Sequence, residues 1–135
     1  MNDEDSEREI KEAAERLVAA FGEGRLDDYF ACFHPGCSFV FYTAGRRLES
    51  VAEYRTEWSQ WVAEFGLEIL GCRNSDTRIQ MWGDIGVLTH SVETRQRIGG
   101  EEGTVHERET IVFARQPDGR WLGVHEHLSP GPQPE

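Results

Sequence analysis

The sequence predicts an α+β fold, and three observations carry that reading. Apolar residues recur at helical spacing through most of the first 65 positions, interrupted by one aromatic and β-branched run. From Gly66 onward the helical period gives way to four β-rich runs. These runs are divided by "GD", "GGEEG" and "PDG", tight-turn signals that make the strands follow one another as a meander. Helices first and hairpin-linked strands after them is the pattern of helices packed on one face of a mostly antiparallel sheet.

Each element has its own justification. In "DSEREIKEAAERLVAAFGEG" the residues Ile10, Ala13, Ala14, Leu17, Val18 and Phe21 stand three and four apart, which predicts an amphipathic helix ended by Gly22 and Gly24. Ahead of it, residues 1–7 read as a solvated acidic tail. "RLDDYFACFHPG" predicts a second, short helix with Leu26, Tyr29, Phe30 and Phe33 on one side and Pro35-Gly36 as its stop. The run Phe39 to Tyr42 predicts a strand that turns near Gly45. A third helix, about residues 50–64, carries Val51, Tyr54, Trp58 and Trp61, a stripe large enough to close over a sheet. After the four strands, the Pro-rich residues 130–135 are expected to fray.

Composition bounds the function. A chain of 135 residues with 38% hydrophobic content supports one domain, spanning residues 1–135. The formal charge of −11 and the absence of any block of Lys or Arg exclude nucleic acid and anionic membrane surfaces as partners. Cys32, Cys37 and Cys72 form no zinc-like pair, and the start has no apolar leader, so the expected setting is the cytoplasm with reduced thiols. There is no GxGxxG, no P-loop and no spanning-length apolar run, and no cofactor is expected.

The closing stretch "GRWLGVHEHLSPG" is the most informative. Strand alternation sends His125, His127 and Ser129 to one face and Val124 and Glu126 to the other, so one face is furnished with imidazoles that titrate near neutrality. Two histidines spaced by two also suit a metal, yet His90, His106 and Cys72, the candidates for a third ligand, lie at unconnected places. No metal site is expected.

With its order of helix, helix, strand, helix and four strands, and with "AAFGEGRLDDYFACFHPG", "GRRLESVAEYR", "ERETIVFAR" and the Asp-Gly-x-Trp turn into Val-His-x-His-x-Ser, the chain resembles the nuclear transport factor 2-like superfamily, also called cystatin-like or SnoaL-like. Its pattern is most similar to the association domain of calcium/calmodulin-dependent protein kinase II and the bacterial relatives of that domain. The resemblance implies a cone: a strongly curved sheet wrapping the helices around an apolar pocket, with relatives pairing sheet to sheet as homodimers. It implies a small organic ligand and leaves the chemistry open between binding, isomerase, dehydratase or cyclase activity, and an assembly hub.

For the pocket, the resemblance points to particular positions. The general-base Asp of isomerase-like members has no counterpart between Phe39 and Gly45, where Tyr42 stands. The pocket arginines of kinase hubs fall on Glu93 and Ile111, with Arg95 or Arg108 as possible substitutes. Glu93 is therefore the candidate base and His127 or Tyr42 the donor, with Trp58, Trp61, Arg95, Phe113 and His125 as ligand-binding candidates. The outer sheet face, marked by Val112, is the expected homodimer surface.

Overall fold

The computed structural model describes residues 2–132. The elements are α1 (Asp3–Gly22), α2 (Leu26–Phe30), β1 (Phe33–Phe41), α3 (Val51–Phe65), β2 (Glu68–Trp82), β3 (Ile85–Ile98), β4 (Glu101–Arg115) and β5 (Trp121–Pro130). The α+β class and the element order agree with the expectation; several boundaries do not.

Helix α1 starts ahead of its apolar stripe. The Asn2 side chain accepts from the Asp5 N–H at 2.9 Å, and Asp3, Glu4 and Asp5 put negative charge in the first turn, where the free N–H groups favour it. The stretch read as an acidic tail is thus helical from Asp3 onward, and Met1 lies outside the described residues. Helix α3 carries a cap of the same logic: Ser50 accepts from the Glu53 N–H while the Glu53 carboxylate accepts from the Glu49 N–H, each at 3.1 Å. It ends at Gly66, whose φ of +62° suits a residue without Cβ.

Pro35-Gly36 does not stop a helix. Helix α2 is over at Phe30, and the pair lies inside β1. That strand is an edge strand, where the missing proline N–H removes no ladder bond that the sheet needs. At the other end, Pro130 still belongs to β5 and the Gly131 N–H donates to the His106 carbonyl at 2.9 Å, so the expected fraying does not begin at 130. Residues 133–135 lie outside the described residues.

The sheet order is β1-β5-β4-β3-β2, with β1 parallel to β5 and the other neighbours antiparallel. Bulges curl it. One lies between Ser75 and Arg78, where Asp76 has φ of +53°; another lies opposite Val112 and Phe113 and leaves Val124 as the extra residue of β5. Helix α1 packs into the concavity against β2. Its Ile10 sits so close to β3 that a Cβ on Gly86 would lie 2.2 Å from Ile10 Cδ1, so a larger residue there would make the Ile10 side chain shift.

The core joins both layers: Ile10, Leu17, Phe39, Leu48, Leu88, Ile111 and Phe113 are all buried, each worth about 1.5–3 kcal/mol in burial. Strand alternation fixes the rest of each face. The concave side receives His90, Val92 and Thr94 from β3, Glu107 and Glu109 from β4, and Glu126 and Leu128 from β5. The convex side receives their sequence neighbours.

Candidate functional site

A cavity of about 300 Å³ opens between α1, α3 and the concave face of β2 to β5. Its walls are apolar: Leu17, Val18 and Phe21 come from α1, and Tyr54, Trp58, Trp61 and Phe65 from α3. The rings hold one another edge to face, with Trp58 and Trp61 centroids 6.1 Å apart and Phe21 and Trp58 5.6 Å apart. Deeper in, the Tyr29 and Tyr54 hydroxyls meet at 2.8 Å, and burial pushes both phenols well above their ordinary range.

Three carboxyls, Glu107, Glu109 and Glu126, reach this cavity. Glu126, from the middle of "HEH", is 2% exposed, and its neighbour across the sheet, Glu109, is 9% exposed. The two carboxyls lie close enough that each shifts the ionisation of the other. Glu109 also accepts from buried His90, Nε2 to Oε1 at 2.6 Å, and the other imidazole nitrogen lies 3.2 Å from the Asn74 amide. With Asn74 donating to Nδ1, the imidazole keeps its proton on Nε2 and points it at Glu109.

This wiring splits the pair. Burial drives both carboxyls toward the protonated form, but for Glu109 the hydrogen bonds from His90 and from Glu126 outweigh it and hold the group below the usual carboxylate range. Glu126 has no such donor. Burial, and then the negative charge of Glu109, push it well above that range, so it carries the proton the two share. One oxygen, Glu126 Oε1, is buried without a hydrogen-bond partner.

Two further polar contacts ring the cavity. At the mouth the Tyr42 hydroxyl donates to Glu107 at 2.6 Å; burial raises the Glu107 carboxyl and this bond opposes the rise. On the wall Cys72 Sγ lies 3.5 Å from the Thr94 hydroxyl, and burial pushes the thiol up to about 11. It is no nucleophile at neutral pH. No group of His, Cys, Asp and Glu among the described residues has the arrangement to hold a metal ion.

The residues singled out from sequence divide between the two faces. Tyr42, Trp58 and Trp61 line the cavity, and Phe113 is buried in the core behind it rather than in its wall. Glu93, Arg95, His125 and His127 all project from the convex face. Glu93 pairs there with Arg73, which lowers its carboxyl, and with His106 at 3.9 Å. Arg95 reaches the Leu70 carbonyl, and His125 meets the Ser38 hydroxyl of β1 at 2.8 Å. Burial, aided by the nearby His127, depresses the His125 imidazole. The polar face of the last strand is real, but it is the outer one, and the carboxyl between the histidines is the group inside.

Comparison with known proteins fits this arrangement. The model of the SnoaL-like domain family matches residues 10–133. The chain belongs to that family. No curated protein matches it. Among solved structures, a ketosteroid isomerase-like protein from Erwinia carotovora atroseptica SCRI1043 is 13% identical with a TM-score of 0.77, covering 93% of this chain and 96% of its own. The S. rosetta CaMKII hub is 19% identical with a TM-score of 0.73, covering 92% and 95%. A protein with a cystatin-like fold from Nostoc punctiforme PCC 73102 is 15% identical with a TM-score of 0.71, covering 94% and 92%. At such identities the likeness is one of fold. Among the described residues of this SnoaL-like chain, no helix is long and apolar enough to cross a membrane.

Proposed function

We propose that this SnoaL-like protein binds one small, largely apolar organic molecule in its cavity, with the polar end of that molecule docked on the Glu126–Glu109 pair. The observation that carries the reading is Glu126, a carboxyl 2% exposed that lines a cavity walled by aromatic rings and keeps one oxygen, Oε1, without a hydrogen-bond partner. A buried polar group short of a partner costs about 1–3 kcal/mol, which a ligand donor reaching this carboxyl offsets. An apolar pocket with a few convergent polar groups is the ordinary form of a small-molecule site.

The split protonation of the pair favours a second reading, acid–base catalysis without a cofactor. Glu109, ionised and held by His90, is the base; Glu126, protonated, is the acid; a neutral substrate that displaces their mutual contact gives a proton to Glu109 and takes one from Glu126, as isomerases and dehydratases require. Glu93 and His127 do not enter this scheme because they face outward. We also infer that the protein works in the cytoplasm as a homodimer joined through the convex face around Val112; the likeness to a kinase hub supports self-assembly.

A screen of small apolar compounds followed by the fluorescence of Trp58 and Trp61 tests the binding reading. Saturation at one hundred times Kd should add about 2.7 kcal/mol to stability, and a Glu126→Ala variant should lose the response. Turnover of any binder that is lost in Glu109→Gln, yet unchanged in His127→Ala, would select catalysis over binding. For the dimer, Val112→Asp should halve the mass in light scattering; an unchanged mass would remove the convex face as the interface.

A further inference from the structure

We propose that the cavity is a site for an organic cation: a small amine whose ammonium group docks on the Glu126 carboxyl and whose apolar body lies against Trp58 and Trp61. This rests on the reading of the cavity as a small-molecule site and adds the charge of its ligand.

Four features set the sign of that charge. Glu126 is 2% exposed, lines the cavity and has one oxygen without a hydrogen-bond partner, so its carboxyl calls for an N–H or O–H donor. Glu107, Glu109 and Glu126 all line the cavity, and none of its lining residues is Lys, Arg or His. An anionic ligand would find no counter-charge there and would be pushed against the ionised Glu109, whereas an ammonium meets carboxylates only. The wall repeats the preference, because indole and phenol faces attract cations, most strongly where water is excluded. A protein of net charge −11 also draws cations toward its mouth.

Binding should then move a proton. The titratable groups facing Glu126 are Glu107 and Glu109 of β4, Cys72 of β2, Cys37 of β1, Tyr29 of α2 and Tyr54 of α3, with His90 behind Glu109. None of those in direct reach brings positive charge to oppose burial and the charge of Glu109, so Glu126 stays protonated. An ammonium at the Glu126 carboxyl supplies it, the carboxyl ionises, and its proton leaves to the buffer.

The test is a titration of the full chain at pH 7 with three probes of similar shape: protonated 2-phenylethylamine, neutral 2-phenylethanol and anionic 3-phenylpropanoate. It is followed by Trp fluorescence and by calorimetry in buffers of different ionisation enthalpy. The amine should bind at least about tenfold tighter than the carboxylate, a difference of about 1.4 kcal/mol, and should release a fraction of a proton approaching one. Glu126→Gln should weaken the amine by about tenfold and leave the alcohol within about threefold. If the carboxylate equals or exceeds the amine, or the amine binds without releasing a proton, the cation proposal falls and the small-molecule cavity stands. If none of the three probes gives heat or a fluorescence change, both readings fall. Should Glu126→Gln not fold, the wild-type ranking and proton count decide alone.

Discussion

Glu109 and Glu93 are both carboxylates on the paired central strands β4 and β3, and each has an imidazole within reach. Glu109 lies on the concave face with its oxygen 2.6 Å from His90, whereas Glu93 lies on the convex face, 3.9 Å from His106 and paired with the largely exposed Arg73. The residue types are alike and the consequences are opposite. Inside, every bond must be made within the protein, so removing one partner strands the others; outside, water replaces whatever is lost. A one-residue step along a strand therefore separates a site that perturbs ionisation from a surface ion pair.

The sharpest way to break that comparison is to delete each carboxylate in turn. Glu109→Ala leaves the His90 N–H and the Glu126 hydroxyl without an acceptor, and should cost about 3–5 kcal/mol in urea unfolding. Glu109→Gln, which keeps an acceptor for His90, should cost markedly less. Glu93→Ala should barely shift the midpoint, and that small shift should vanish at high salt. Equal midpoints for Glu109→Ala and Glu93→Ala would mean that the concave face is wet and the pair is not a buried one.

A smaller, pH-dependent effect separates the two acids of the pair. The folded state holds the Glu126 proton more tightly than the unfolded chain does, so its contribution is full below the ordinary carboxylate pKa and is lost as pH rises toward the raised folded value. Glu109 runs the other way: its contribution is present above the ordinary value and is lost as pH falls through its depressed one. Wild type minus Glu126→Gln should therefore show stability declining from about pH 5 upward, a window in which Glu109 is already ionised in both states. A flat difference curve across that window would mean that Glu126 is ionised in the folded protein.

The same comparison explains what could be read from the sequence. Helix stripes, the "GGEEG" and "PDG" turns and the closing Trp-to-Ser run were sufficient for the fold, because each is a local pattern tied to a local geometry. The aromatic wall was legible too, since Trp58 and Trp61 share the stripe of α3 with Tyr54. The acids were not. Placing them needs the parity of each strand, and a resemblance carried over by motif put Glu93 inside, one residue out of step. The signal that would have corrected it stands in "ERETIVFAR": Glu109, Ile111 and Phe113 share one face, and an Ile and a Phe on that face mark it as the buried one. The bulge at Val124, which sets the register of Glu126 against β4, has no such mark in the sequence.

Tyr42 is the residue that belongs to neither region fully, and it gives the finest test of the boundary between them. The residue is 47% exposed at the mouth while its hydroxyl donates to Glu107, a carboxyl already raised by burial. Tyr42→Phe removes that donor and keeps the ring, so the loss should be about 1 kcal/mol, the net worth of one hydrogen bond. The Glu107 carboxyl should titrate higher in the variant, because burial then acts without the opposing bond. Carboxyl chemical shifts followed through a pH titration read this directly. A Glu107 that titrates unchanged in Tyr42→Phe would place the mouth with the convex face, where water takes over lost bonds; an upward move would extend the dry, acid-lined interior as far as the rim.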